Sequence, residues 1–258
     1  MPTPEQRART LERFRRQREA WDANPALRTL YADWYGRIGA ALPPPGLGPR
    51  IELGSGPGFA RGFIPALELT DVVAAPWHDR ELSADALDAA DASVGALVLF
   101  DVLHHLSSPR RFFAEAARVL RPSGRIVLCE PLVSPLSYPV YKLLHEEPVD
   151  LLVDPLAMDG SLEGTGAQLE KDPFDSNQAI PTVLFGRGRA AFERAFPSLK
   201  IVSVERFAGL SYPASGGFSR RALLPGVIWR ALHRLEQRLP LSLFRLIGFR
   251  LLAVIERT

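Results

Sequence analysis

The sequence predicts an α/β fold, a doubly wound and mostly parallel sheet with helices on both faces. Three observations predict it. Short apolar runs alternate with amphipathic helical segments from residue 50 onward, the pattern of parallel strands joined by helical crossovers. A glycine-rich turn, Gly54-Ser55-Gly56-Pro57-Gly58, directly follows the first of these runs. A final apolar run over 249–257 suits a last strand inserted antiparallel.

Residues 4–20 hold six arginines and three glutamates among few apolar positions, so this segment is expected to be a solvated helix or a frayed arm with little part in the core. Residues 24–42 set Leu27, Leu30, Tyr31, Trp34, Tyr35, Ile38 and Leu42 three and four apart, an amphipathic helix with an aromatic face that ends at Pro43-Pro44-Pro45-Gly46. Seven strands are expected, over 50–53, 67–73, 81–84, 96–101, 125–130, 200–207 and 249–257. A helix over 109–120 starts on Pro109 and stops at Arg121-Pro122-Ser123-Gly124. Residues 131–185 carry seven prolines, with Gly160, Gly164 and Gly166, and a loop region of that length is usually functional, often a lid.

Between the last two strands, 225–239 places Val227, Ile228, Ala231, Leu232, Leu235 and Leu239 opposite Arg230, Arg234 and Arg238. From Ser219 to Arg250 there are seven arginines and one acid, Glu236. Two readings stay open. The helix packs on the sheet with its arginines in water, or residues 219–250 touch an anionic lipid surface.

Bulk properties exclude several classes. With 258 residues, 47% hydrophobic and 23% charged, the chain can bury its core as one elaborated domain without staples. A net charge of +2 argues against a dedicated nucleic-acid binder. The lone Cys129 gives neither a disulfide framework nor a zinc cluster, and no metal is expected. The polar N-terminal residues are not followed by a signal-like apolar core, and no run reaches the ~18–20 apolar residues of a membrane span. A cytoplasmic protein is expected, with a membrane contact at most peripheral; the oligomeric state is not legible.

The glycine turn marks a ligand site, because glycine permits positive φ and close approach to the main chain, and in doubly wound sheets ligands bind at the carboxyl ends of the strands. The spacing disfavours a dinucleotide. Counted from Gly54 the sixth position is Phe59, and from Gly56 it is Arg61, where G-x-G-x-x-G wants glycine. Asp71, ending the second strand, reads as an acceptor for ribose hydroxyls or as a cap. Asp85-Ala86 reads as an adenine contact or as another cap.

Three blocks in this order carry a resemblance: Glu52 to Gly58, Leu99 to Leu106 (Leu-Phe-Asp-Val-Leu-His-His-Leu), and Phe113 to Arg125 (Phe-Ala-Glu-Ala-Ala-Arg-Val-Leu-Arg-Pro-Ser-Gly-Arg). Together, over roughly 48–131, they resemble the small-molecule class I methyltransferases, of the methyltransferase type 11 kind, that use S-adenosyl-L-methionine. The resemblance implies a Rossmann-like, doubly wound seven-stranded sheet, mostly parallel with an antiparallel last strand, plus N-terminal helices and a lid-like insertion. It divides one domain into a helical cap (1–47), a cofactor core (48–131), an insertion (132–186) and a C-terminal part of the sheet (187–258). It also implies that Glu52 orients the methionine amino group, that Gly54, Ser55, Gly56 and Gly58 form the floor, that Asp71 holds the ribose, that Asp85 and Ala86 read the adenine, and that Asp101 and Val102 lie beside the methionine. The sequence departs from the family where only thirteen residues separate Asp71 from Asp85, leaving Trp77 either in the core or near the adenine.

Methyl transfer from a sulfonium needs chiefly alignment and exclusion of water, with a base only where the acceptor loses a proton. The candidate bases are His105 and, second to it, His104. The acceptor pocket is expected from Tyr31 and Tyr35 on the aromatic helix and from Tyr138, Tyr141, His145, Asn177 and Gln178 in the insertion, the acceptor being a small or lipid-like molecule. For His145, Glu146 and Glu147 a solvated loop is the first reading and a place in the acceptor site the second. A non-catalytic protein keeping the fold is the alternative, and a nicotinamide-dependent oxidoreductase a more distant one.

Overall fold

β1 (Arg50–Leu53) lies inside a seven-stranded sheet of order β3-β2-β1-β4-β5-β7-β6. The computed structural model describes residues 2–145, 147–158, 176–219 and 221–258. The remaining strands are β2 (Leu67–Asp71), β3 (Arg80–Glu81), β4 (Val94–Phe100), β5 (Leu120–Pro131), β6 (Leu199–Phe207) and β7 (Arg250–Arg257). Pairs β1–β2, β1–β4, β2–β3 and β4–β5 are parallel, while β7 runs antiparallel to both β5 and β6. The seven expected strands are present with shifted ends. β3 is the most reduced, two residues at 80–81 instead of 81–84.

The fully buried β4 reads Val-Gly-Ala-Leu-Val-Leu-Phe because both faces of a parallel sheet are covered. Leu97 and Leu99 point into one core cluster, with Ile126, Leu128, Leu251, Ala253 and Ile255. Ala96, Val98 and Phe100 point into the other, with Val127, Cys129 and Leu252. The period of two thus splits one strand between two cores. The first core is closed by α3 (Pro109–Val119), α5 (Ile180–Phe185) and α6 (Arg189–Ala195), which bring in Phe112, Phe113, Leu184 and Phe192. The second is closed by α2 (Pro25–Ala41) with the seven residues predicted for its apolar face, and by Trp229 of α8 (Gly226–Glu236). Asn24 caps α2 by accepting from the Leu27 amide, and Ser108 does the same for α3 from Arg111. α4 (Ser137–Leu144), α7 (Ser211–Ala214) and α9 (Phe244–Ile247) are short connectors.

Of the two readings of residues 4–20, the solvated helix holds and the frayed arm does not. α1 (Pro4–Ala23) is a full helix with a capping box, Thr3 and Gln6 bonding each other's backbone amides, and it is anchored to the protein: Phe14 is buried and Arg7 pairs with Glu81. One buried aromatic and a set of long-range polar contacts hold it, which a search for an apolar stripe does not detect. α8 does not lay its apolar face on the sheet. Val227, Ile228 and Leu235 are 71%, 55% and 59% exposed, while Trp229 and Glu236 are the buried members. Of the insertion, 159–175 and Glu146 lie outside the described residues, so the lid expected over 132–186 is described only in part.

Candidate functional site

The carboxyl ends of β1, β2 and β4 open into one cleft that α1 and α2 flank on one side and the insertion on the other. Its volume of about 2360 Å³ exceeds the ~300–1,000 Å³ usual for one small ligand, leaving room for two molecules side by side.

The glycine turn forms one end. Gly54 and Gly56 have φ of +67° and +51°, conformations that side-chain-bearing residues rarely adopt. A Cβ on Gly54 would stand 2.6 Å from Cγ2 of Val102, so the β1 loop meets the end of β4 with no space for a side chain. The turn is braced on several sides. The Gly56 amide donates to Asp71 Oδ2 at 2.9 Å, and the Gly56 carbonyl accepts from Trp77 Nε1 at 2.8 Å. His78 Nδ1 accepts from the Ala75 amide, so its Nε2 is the protonated nitrogen, 2.7 Å from the same Gly56 carbonyl. Asp71 Oδ1 accepts from Val73. Asp71 therefore lines the cleft as a brace of the turn first, with its remaining lone pairs turned to any ligand.

Glu52 is the outstanding polar group. It is 1% exposed, both carboxylate oxygens are buried without a hydrogen-bond partner among the described residues, and it lines the cleft. Burial pushes its pKa up to about 8, with the hydroxyls of Ser55 and Tyr35 nearby opposing the rise and the Asp71 charge adding to it. A carboxyl group held this way awaits a cationic or N–H partner from outside the chain.

At the far end the β4 loop carries Asp101 in the left-handed region, φ +57°. Its carboxylate pairs with Arg250 at 2.6 Å, and the fully buried Arg250 guanidinium lies over the rings of Trp34 and Phe100 at 4.8 and 5.0 Å. Burial raises the Asp101 pKa and Arg250 opposes that rise. Next comes a cluster built on the turn Leu103–His105. Glu130 Oε1 accepts from the amides of Val102 and Leu103, and Glu130 Oε2 accepts from His104 Nδ1 at 2.7 Å. His104 Nε2 faces Glu147 Oε2 at 3.4 Å, and His105 Nε2 faces Glu147 Oε1 at 3.9 Å. Gln178 Nε2 donates to Glu147 Oε2 at 3.0 Å and meets His145 Nδ1 at 2.9 Å. Burial alone would lower the His104 pKa, but the two carboxylates outweigh it and raise it to about 10. Glu147 is held well below the usual carboxylate range: burial works against this, and His104 and His105 prevail.

Most residues singled out in the sequence meet in this cleft: Glu52, Gly54, Ser55, Gly56, Asp71, Asp85, Ala86, Asp101, Val102, His104, His105, Tyr31, Tyr35, Tyr141, His145 and Gln178 all line it. Three do not. Gly58 packs against Trp77 outside the cleft, where a Cβ would come within 2.5 Å of the indole. Tyr138 lies off the cleft, its ring under Lys142 Nζ. Asn177 is a loop brace, bonding the amides of Asp150 and Ala179 and the carbonyl of Asp150. Tyr141 lines the wall but spends its hydroxyl on the Phe249 carbonyl at 2.6 Å. Trp77 is neither core nor ring-stacking wall, since it clamps the outside of the glycine turn under Arg18. Sequence reasoning missed Phe14, Glu130 and Arg250. An arginine within the apolar run Phe249 to Ile255 and a glutamate closing the apolar β5 were the available signals, because a charge in a buried strand requires a partner.

Residues 66–128 match the family model described as "Methyltransferase domain". Over 100 residues the chain is 33% identical to an uncharacterised 37.1 kDa protein in transposon TN4556 of Streptomyces fradiae, a stretch that covers 38% of this chain and 28% of that protein. The chain thus matches little more than a quarter of that relative's length. Among solved structures, it is similar to a SAM-dependent methyltransferase from Archaeoglobus fulgidus (14% identity, TM-score 0.50, 90% of this chain and 94% of that one). It is also similar to a chain in the complex between the Haloferax volcanii Trm112 methyltransferase activator and a methyltransferase (15% identity, TM-score 0.51, 100% and 99%). Both likenesses concern the fold, a seven-stranded mixed sheet with its antiparallel strand next to the edge.

Proposed function

We propose that this chain, whose residues 66–128 match a methyltransferase domain and whose sheet has the Rossmann-like class I fold, uses S-adenosylmethionine to methylate a small or lipid-like acceptor. The observation that carries the reading is the buried, unpartnered Glu52 at the end of β1, facing a cleft large enough for cofactor and acceptor together. When bound, S-adenosylmethionine supplies a methyl group already activated on a sulfonium sulfur.

The residues present fit that group. Glu52 would receive its ammonium, the bare backbone at Gly54 and Gly56 admits it to the main chain, and Asp71 and Asp85 with Ala86 would meet the ribose and the adenine. Phe14 on α1 and Tyr31, Tyr35 and Phe100 wall this end with aromatic surface and exclude water. Val102 and Asp101 separate it from the acceptor end, where the cluster of His104, His105, Glu130 and Glu147 lies. His104 is committed to two carboxylates. An acceptor proton would therefore pass to His105, with Glu147 beside it to stabilise the imidazolium.

A lipid-like acceptor is favoured by the rim of the cleft. Leu144 and Leu223 line it and are 60% and 67% exposed, and further along the chain Val227, Ile228, Leu235, Leu241 and Leu246 are exposed as well. Arg221, Arg230, Arg234, Arg238 and Arg245 stand exposed along the same stretch. That combination suits an interfacial contact with anionic lipid. No helix among the described residues is long and apolar enough to cross a membrane.

Titration calorimetry with S-adenosylmethionine, followed by labelled-methyl transfer to a panel of polar and lipid acceptors, tests the reading. Absence of cofactor binding at millimolar concentration would sink it. Binding without transfer to any acceptor would favour the non-catalytic alternative.

A further inference from the structure

The geometry points to a divalent transition-metal site at the acceptor end of the cleft, with His104 Nε2, His105 Nε2 and the Glu147 carboxylate as its ligands. The inference rests on the proposed reading of this end as the place where acceptor binds, and it changes what the cluster does there.

Ligand disposition comes first. The three ligand atoms lie within 4.8 Å of one another. Two atoms each ~2.1 Å from one ion at the tetrahedral angle stand ~3.4 Å apart, and His104 Nε2 stands 3.4 Å from Glu147 Oε2. That distance is long for a hydrogen bond and right for a shared ion. The 3.9 Å from His105 Nε2 runs to the other carboxylate oxygen, Glu147 Oε1, so one ion between the two imidazoles calls for a bidentate Glu147 and a wider angle at the metal.

The surroundings of these ligands make the same case. Glu130, saturated by two backbone amides, accepts from His104 Nδ1 and thereby turns the other nitrogen, Nε2, towards Glu147. A carboxylate behind one ring nitrogen is the usual support of a metal-ligating histidine. Glu147 is itself held by Gln178 at 3.0 Å, as ligating carboxylates commonly are. Two imidazoles and one carboxylate select ions of the zinc, iron, cobalt or manganese kind over magnesium or calcium. Three protein ligands leave positions open on the cleft side, where an acceptor with one or two oxygen donors would bind. With both Nε2 atoms committed, His105 no longer serves as the base; the ion would lower the pKa of a bound acceptor hydroxyl, whose proton would leave to bulk water before methyl transfer. Spacing alone does not join these ligands, because Glu147 is 42 positions from its nearest partner ligand, His105.

The test uses the tag-free full chain, stripped with chelator and titrated with Co²⁺ while its visible absorption and bound metal are measured. One Co²⁺ per chain is expected, with the intense bands of a four- or five-coordinate site. His105→Gln and Glu147→Gln should lose the bands, and Glu130→Gln should weaken uptake by ~10–100-fold; circular dichroism checks that each is folded. No stoichiometric uptake at micromolar Co²⁺, or uptake equal in His105→Gln and Glu147→Gln, overturns the site. Cofactor binding to the stripped protein is measured alongside. Its retention with no Co²⁺ uptake refutes the metal alone, whereas Co²⁺ uptake without cofactor binding refutes the methyltransferase reading alone.

Discussion

Glu52 couples cofactor binding to pH. Its pKa is raised to about 8 in the free protein, so it is mostly neutral at pH 7 and must ionise to pair with an ammonium. Binding therefore releases a proton between the ordinary carboxylate pKa and 8, and affinity should rise towards tenfold per pH unit in that window. The apo protein shows the opposite slope. A raised acid contributes stability that is fully present below its unfolded pKa and is lost as pH climbs through 8. Calorimetry in buffers of differing ionisation enthalpy measures the proton count, and Glu52→Gln should abolish both slopes; a pH-independent wild-type affinity would show that the carboxyl does not meet the ligand's cation. Gly56→Val forces a β-branched residue to φ +51°, a genuine outlier, while a Cβ meets only Phe14 at an ordinary 3.6 Å. The variant should fold and fail to bind cofactor. Arg250→Met removes the ion-pair partner of Asp101, and because Asp101 keeps about a third of its side-chain exposure (32%) and has His104 near it, the cost should fall at about 3 kcal/mol, the low end for broken buried pairs. A urea midpoint unchanged from the wild type would contradict that pairing. At this scale the sequence was informative where a residue type has few uses, as with Gly54, Glu52 and Asp101, and uninformative where role depends on a distant partner, as with Glu130 and Arg250.

Among the elements, α2 was legible with its buried face and α1 only as a solvated helix, for a physical reason. α2 buries six residues at helical spacing, whereas α1 buries Thr10 and Phe14 only and is otherwise held by Arg7 to Glu81 and by Arg18 to the Pro57 carbonyl. Burial without periodicity leaves no trace in a hydrophobic pattern. Phe14 touches the Gly56 turn and lines the cleft, so its loss should act on ligand retention more than on the fold. Phe14→Ala is expected to cost about 1.5–3 kcal/mol of apolar burial and to raise the cofactor dissociation rate at least tenfold in stopped-flow measurements. Equal rates would mean that α1 stays clear of the bound ligand. α8 shows the complementary ambiguity. Its amphipathic spacing is plain in the sequence, yet spacing alone does not say whether the apolar stripe faces protein or solvent; here Glu236, buried under Ser211 at the Gly209 turn, sets the rotation.

Over the whole molecule, the parallel core and reversed β7 were legible because alternation and strand composition are local, while the convergence of β4, the insertion and β7 on one cleft is not. The same convergence gives the cleft an apolar mouth with arginines beside it. Co-sedimentation should show binding to vesicles containing phosphatidylglycerol and little to phosphatidylcholine alone, with binding falling as salt is raised. Replacing Val227, Ile228 and Leu235 by Ser should weaken it without loss of helicity, and equal binding to both vesicle types would remove the electrostatic part of this reading.

The place of β7 between β5 and β6 has a consequence for assembly. β6 has no partner in the sheet until residues 250–257 slot in beside it, and those same residues deliver Arg250 to Asp101. During synthesis the glycine turn and the five parallel strands can therefore form early, while the edge strand waits for a segment some forty positions downstream. Closure of that sheet and completion of the cleft are one late event, dominated by contacts distant in sequence and correspondingly slow.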